Sequence, residues 1–190
     1  MLRGKSATPE ARRQAQAAAF EAEALASIDS LYRTARRLTR STADAEDLVQ
    51  ETYLKAFRSA DRFAPGTNLR AWLFTILHNT ARNRARDRAR ESVIVDSEMT
   101  ERLSDAPPDR PAETPESLLL KDALAPELQA AIDELPEVFR QAVWLRDVEE
   151  FSYAEIAEML NIPAGTVMSR ISRGRRMLFD RLQDLKPVNA

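Results

Sequence analysis

The chain has no cysteine, one histidine and only four glycines among its 190 residues. Without cysteine there is no disulfide, no thiolate metal site and no thiol nucleophile. The lone histidine, His78, has no second imidazole with which to build a metal centre. No apolar run approaches the roughly 20 residues that a membrane-spanning helix needs. The opening MLRGKSATPEARRQ carries positive charge with no apolar stretch behind it, so it does not read as a secretory signal. A cytoplasmic protein without membrane insertion is expected. Scarce glycine, 31% charged residues and the absence of strand-like alternation point to an all-α fold.

The formal net charge of −2 conceals strong segregation. Residues 1–90 hold 17 Lys and Arg against 10 Asp and Glu, whereas residues 91–137 hold 3 against 13. Residues 138–190 are nearly balanced at 8 against 7, yet 164–181 contain five arginines and one acid, Asp180. Two basic surfaces flank an acidic strap. A polyanion can meet both basic surfaces, and the strap must go elsewhere.

Residues 1–18, rich in Ala, Arg and Gln, are expected to be a disordered extension. From Phe20 the apolar positions Ala24, Ile28, Leu31, Ala35 and Leu38 predict a helix to about Arg40. A second helix is predicted from about Ala45 to Arg58, after a cap in 41–44. The turn dipeptide Pro65-Gly66 marks 61–67 as a loop. Asn68 then caps a long helix to about Arg90. Helical periodicity fails from Ser92 to Ala125, where Pro107, Pro108, Pro111 and Pro115 and the acidic excess predict an extended linker. A second helical unit begins at Pro126, and Pro136 ends one of its helices and starts another. The expected organisation is two small helical domains, 19–91 and 126–187, joined by the acidic, Pro-containing linker 92–125.

The segment FSYAEIAEMLNIPAGTVMSRISRGRR, residues 151–176, carries the most specific local signal. Ser152 and Glu155 have capping-box spacing. Ile156, Ala157 and Leu160 form an apolar stripe, Asn161 tolerates a left-handed turn, and Pro163 can start the next helix. Val167, Ile171 and Leu178 face inward, leaving Thr166, Ser169, Arg170 and Arg173 outward. This is a helix-turn-helix, with an ordinary helical hairpin as the plainer alternative.

Two further faces carry information. On the second helix Asp47, Gln50, Glu51, Leu54 and Arg58 lie opposite the apolar side, with Phe57 at the edge. Apolar anchors within a polar rim suit protein binding, unless Leu54 and Phe57 pack under the neighbouring loop. Reading Asp47 and Glu51 as metal ligands lacks a neighbouring histidine. On the third helix Thr75, His78, Asn79, Arg82 and Arg86 share a face. Five arginines against one aspartate in 79–90 exceed what the helix dipole explains, and phosphate contacts account for the excess. Phe63, Trp72 and Phe74 lie near its start, where aromatic rings could stack unpaired bases. Trp72 is equally suited to a core.

In order and spacing, the blocks 44–57, 66–86 and 135–176 resemble the extracytoplasmic-function (ECF) sigma factors of bacterial RNA polymerase. They cover roughly half the chain. The resemblance implies a first domain that binds core polymerase at the β′ clamp and melts the promoter −10 element. It implies a second domain that reads the −35 element and meets the β flap. By position, Asp47, Gln50, Glu51 and Leu54 would bind core polymerase. Phe63, Trp72, Asn79, Arg82, Asn83 and Arg86 would meet −10 DNA, with loop 61–67 holding a flipped base. Thr166, Met168, Ser169, Arg170 and Arg173 would meet −35 DNA. Asn161 departs from the glycine usual at the turn, and Met168 and Ser172 stand where many relatives place Arg or a large residue. The resemblance further implies an anti-sigma factor as partner, and no cofactor, metal or catalytic residue. A helix-turn-helix regulator that binds duplex DNA without polymerase is the alternative, but it leaves 44–86 unexplained. A nuclease using the carboxylates of 44–51 is the third possibility.

Overall fold

A computed structural model describes residues 8–39, 41–64, 66–96 and 126–184. Helix α1 (Pro9–Leu25) begins with Thr8 Oγ1 accepting from the Ala11 amide at 3.3 Å, and Pro9 fills the first turn, where no amide partner is needed. The helix therefore reaches back into the segment expected to be disordered. Ala-rich composition favours helix, and two tertiary contacts hold its end. Ala24 is buried, and the Tyr53 hydroxyl donates to the Ala24 carbonyl at 2.7 Å. The helix predicted from Phe20 to Arg40 is in fact broken at Ala26 and Ser27, and α2 (Ile28–Leu38) follows.

Helix α3 (Thr42–Arg58) is capped by Ser41, whose Oγ accepts from the Asp44 amide at 3.1 Å. It buries Leu48, Val49, Thr52 and Ala56, the side that periodicity predicts. A 3-10 turn (Ala60–Arg62) leads to Gly66, whose φ of 88° only glycine adopts without strain. Asn68 Oδ1 accepts from the Ala71 amide and starts α4 (Leu69–Asp96), which extends past the predicted end at Arg90. Of the linker predicted at 92–125, residues 92–96 are instead the end of α4, and 97–125 lie outside the described residues.

In the C-terminal unit α5 (Pro126–Asp133) and α6 (Glu137–Val143) are separated by Pro136, as expected. A turn of π-helix (Trp144–Val148) follows, closed by the Glu149 amide bonding to the Trp144 carbonyl at 3.0 Å. Then come α7 (Tyr153–Leu160) and α8 (Ala164–Asp184). The capping box of Ser152 and Glu155 is complete, and Asn161 sits in the left-handed region at φ 54°, ψ 51°. Helix α8 crosses α6 at Gly174, where a Cβ would lie 2.6 Å from Val143 Cγ2. The helix-turn-helix is the one its sequence describes.

The two units share one apolar core. Leu31, Leu48, Leu73, Phe74 and Leu77 of the first continue into Leu145, Phe151, Ile156 and Met159 of the second. Phe74 and Phe151 meet edge to face with centroids 4.7 Å apart.

Candidate nucleic-acid interface

The outer face of α3 is as its sequence predicts. Asp47, Gln50, Leu54 and Phe57 are exposed, Leu54 at 50% and Phe57 at 42%. Leu54 is not tucked under the loop. Phe57 stacks on Tyr53 at 6.0 Å and touches Phe20 at 6.1 Å without being covered. Glu51 is half-buried and lies 2.6 Å from both Lys55 Nζ and Arg84 Nη2. The hydrogen bond from Lys55, with that from Arg84, holds its carboxyl below the usual range. Two cations thus already compensate the charge that a metal ion would require.

Around the start of α4, Phe63 and Trp72 lie 5.5 Å apart, and Phe20 of α1 packs on both at 5.7 and 6.1 Å. Both rings are half-buried. Trp72 is therefore packed against the core with one part open, which reconciles its two sequence readings. Helical geometry puts Trp72, Asn79, Asn83 and Arg86 on one face, with Arg82 at its border. Asn79, Arg82, Asn83 and Arg86 are exposed. They pair along the helix, Arg82 donating to Asn79 Oδ1 at 3.3 Å and Arg86 to Asn83 Oδ1 at 3.2 Å. His78 departs from the face assigned to it: it is buried. Burial first, and then the charge of Arg82, push its pKa down to about 4. Its Nε2 finds no hydrogen-bond partner among the described residues.

On α8, Met168, Ser169 and Arg173 are exposed, Met168 at 54%, while Thr166 and Arg170 are half-buried. Among the described residues no ion pair engages Arg170, Arg173 or Arg176. The other arginines of α8 differ. Arg175 makes a fork to Asp147 at 3.0 and 2.5 Å, and Arg181 pairs with Glu134. Helix α8 thus carries two arginines paired within the chain, Arg175 and Arg181, and three, Arg170, Arg173 and Arg176, with unneutralised charge among the described residues. Arg176 belongs with the second group, and its spacing from Arg173 (i, i+3) was the signal that could have found it.

The sequence reading missed the seam between the units altogether. Glu149, its side chain fully buried, follows the π-turn and accepts from Arg70, which also donates to the Glu149 carbonyl at 2.7 Å. Arg33 lies 3.9 Å from its other oxygen. Burial pushes the Glu149 carboxyl up against the opposing pull of these arginines. Trp144, at the other end of the π-turn, donates from Nε1 to Thr34 Oγ1 at 3.0 Å. The Arg37 guanidinium stacks 3.6 Å over its ring and pairs with Asp133 at 2.5 Å. Arg82 donates to the Met159 carbonyl at 3.1 Å, and Asn68 to Glu155 at 2.6 Å.

A helix-turn-helix with uncompensated arginines, packed on a second helical unit with its own basic helix, defines a two-unit helical DNA-binding protein. Comparison with known proteins narrows the class. Sigma-70 region 2 matches residues 26–91 and sigma-70 region 4 matches residues 126–178. The chain is 40% identical over 154 residues to the ECF RNA polymerase sigma factor SigE of Mycolicibacterium smegmatis, a match spanning 81% of this chain and 58% of that one. It is 36% identical over 146 residues to the ECF RNA polymerase sigma-E factors of Salmonella typhimurium and Escherichia coli, covering 76% of each chain. Among solved structures it is similar to the Bartonella quintana sigma factor RpoE in complex with the anti-sigma factor NepR. That match has a TM-score of 0.65 and 32% identity and covers 88% of this chain and 98% of that one. The fold is also that of CnrH, solved with the cytosolic domain of CnrY, with a TM-score of 0.58 at 24% identity, covering 90% of this chain and 96% of that one. The chain belongs to the ECF sigma factors of the sigma-70 family, which are transcription initiation factors.

Proposed function

We propose that the chain binds core RNA polymerase through α3 and directs it to promoters, reading the −10 element with 19–91 and the −35 element with 126–187. Asp47, Gln50, Glu51 and Leu54 dock on the β′ clamp. Asn79, Arg82, Asn83 and Arg86 meet the opened −10 strand, beside Phe63, Trp72 and the loop 61–67. Thr166, Met168, Ser169, Arg170 and Arg173 enter the −35 groove, with Arg176 on the adjacent phosphates. The segment 92–125 runs between the two readers within the polymerase. The protein itself catalyses nothing and works where polymerase works, in the cytoplasm. An anti-sigma factor restrains it, a reading supported by the relative solved in complex with NepR.

The observation that carries this reading is the division of arginines on α8. A helix that neutralises Arg175 and Arg181 internally but leaves Arg170 and Arg173 uncompensated is prepared for a polyanion. The polymerase half is tested by capture on immobilised core enzyme. Wild type is retained, and Asp47→Lys with Leu54→Glu is not. Equal retention of both would remove α3 from the docking surface.

A further inference from the structure

Along α1, residues 13–19 are exposed and Phe20 is half-buried. The Phe20 ring lies against Phe63 at 5.7 Å, Trp72 at 6.1 Å and Phe57 at 6.1 Å. One turn later Ala24 is buried, and its carbonyl accepts from the Tyr53 hydroxyl at 2.7 Å. That bond fixes the rotation of α1 and so the direction in which Phe20 points. Helix α1 precedes the residues matched to sigma-70 region 2, and that match gives it no role.

Phe63 needs such a neighbour. It follows the 3-10 turn with extended backbone at φ −72°, ψ 122°, so no helix confines its ring. Trp72 leans on it at 53° and Phe20 at 56°. Neither lies flat upon it, and part of the Phe63 ring stays open. Tilted aromatic pairs gain more than the area they bury, which an aliphatic side chain of similar bulk does not supply. A base that stacks on a ring already in place avoids the cost of immobilising that ring on binding.

We infer that Phe20 is a positioning residue of the −10 reader: from α1 it holds the Phe63 ring beside Trp72, so that an unpaired base meets a preformed aromatic site. The inference rests on the proposed assignment of Phe63 and Trp72 to the opened strand. Phe20 acts through those rings and need not touch DNA. Its contact with Phe57, at the edge of the docking face of α3, supplies the competing account, in which Phe20 shapes the polymerase contact instead.

The test uses the full chain with core enzyme, on a genomic fragment from which the wild type gives a run-off transcript. Phe20→Leu keeps apolar bulk without the ring, and Phe20→Tyr keeps the ring. Permanganate footprinting reads the unpaired thymines upstream of the start site. The ratio of open to closed complex should fall about five- to tenfold in Phe20→Leu. In Phe20→Tyr it should stay within about twofold of the wild type. Retention on immobilised core and DNase protection of the −35 element should match the wild type in both variants. Thermal unfolding of the free chain guards against a merely structural role, in which melting would follow the unfolding midpoint rather than the presence of the ring. If Phe20→Leu does not fold, Phe20→Met takes its place with the same expectation. Equal melting by the Leu and Tyr variants, or core retention that falls in step with melting, overturns the inference. Normal wild-type transcription with undiminished melting by Phe20→Leu would sink the role of Phe20 alone. Absence of any wild-type transcript would sink the sigma reading itself.

Discussion

The basic helices of the two units use their arginines in opposite ways. On α4, Arg70, Arg84 and Arg88 are paired with Glu149, Glu51 and Asp44, so much of the helix's charge is already answered within the chain. On the outer side of α8, Arg170 and Arg173 carry no such partner among the described residues. The helix-turn-helix is ready for duplex DNA as it stands. The basic helix of the first unit is instead partly neutralised by its own chain. Abundance of arginine therefore says less about nucleic-acid binding than the presence or absence of an internal counter-charge.

The largest perturbation of this contrast is expected at the seam. Phe151→Ala removes a buried ring that packs on Phe74, and should lower stability by about 3–5 kcal/mol in urea unfolding. A loss below 1 kcal/mol would mean that the two units do not share a core in solution.

His78 reports on the same seam. It lines a small cleft together with Thr34, Arg37 and Leu38 of the first unit and Arg140, Gln141, Trp144 and Leu145 of the second. As the only histidine it gives one imidazole titration by NMR. In the closed protein its pKa is about 4, against an ordinary 6.5. The unfolded chain then binds the extra proton first, so this contribution to stability is complete above pH 6.5 and is lost as pH falls towards 4. The loss is about 3 kcal/mol, and the difference in pH dependence between wild type and His78→Asn isolates it. In Arg70→Ala the titration should move up towards 6.5. A wild-type midpoint already near 6.5 would mean that the seam is open.

On α8 the effects are smaller. Arg173→Ala should weaken −35 binding by holoenzyme by about 1–3 kcal/mol if the side chain reads a base. If Arg173 meets only phosphate, the loss should be equal on all sequences and the salt dependence shallower by about one unit. Footprints identical to wild type would remove it from the interface. Gly174→Ala sits on the structural side of the same helix. There the clash with Val143 should cost about 1–2 kcal/mol despite alanine's better helix propensity. Its DNA affinity per folded molecule should not change.

What was legible in the sequence was what depends on near neighbours. Ser152 and Glu155, Asn161 and Pro163 fix the helix-turn-helix within a dozen residues, and each sits in the structure in its expected role. The buried and exposed sides of α3 followed from a period of 3.6 in the same way. The seam did not, because its partners are far apart in the chain: Trp144 and Thr34 are separated by 110 residues, and Arg37 and Asp133 by 96. By periodicity Arg33, Arg37 and Arg70 are unremarkable surface cations. Nothing local announces that a glutamate of 147–150 will be buried, or that a π-turn will aim Trp144 and Glu149 at the other unit. The start of α1, residues 9–19, was missed for a different reason: its Ala, Arg and Gln composition lacks an apolar stripe, and the helix is anchored further along, where Phe20 and Ala24 make tertiary contacts.

The most direct test of the account is run-off transcription from reconstituted core enzyme on genomic fragments, with and without the full chain. Transcripts should start at defined sites only when the chain is present, and should fall sharply with Asp47→Lys plus Leu54→Glu or with Arg82→Ala. Transcription that is indifferent to the chain, or to all of these substitutions, would contradict it.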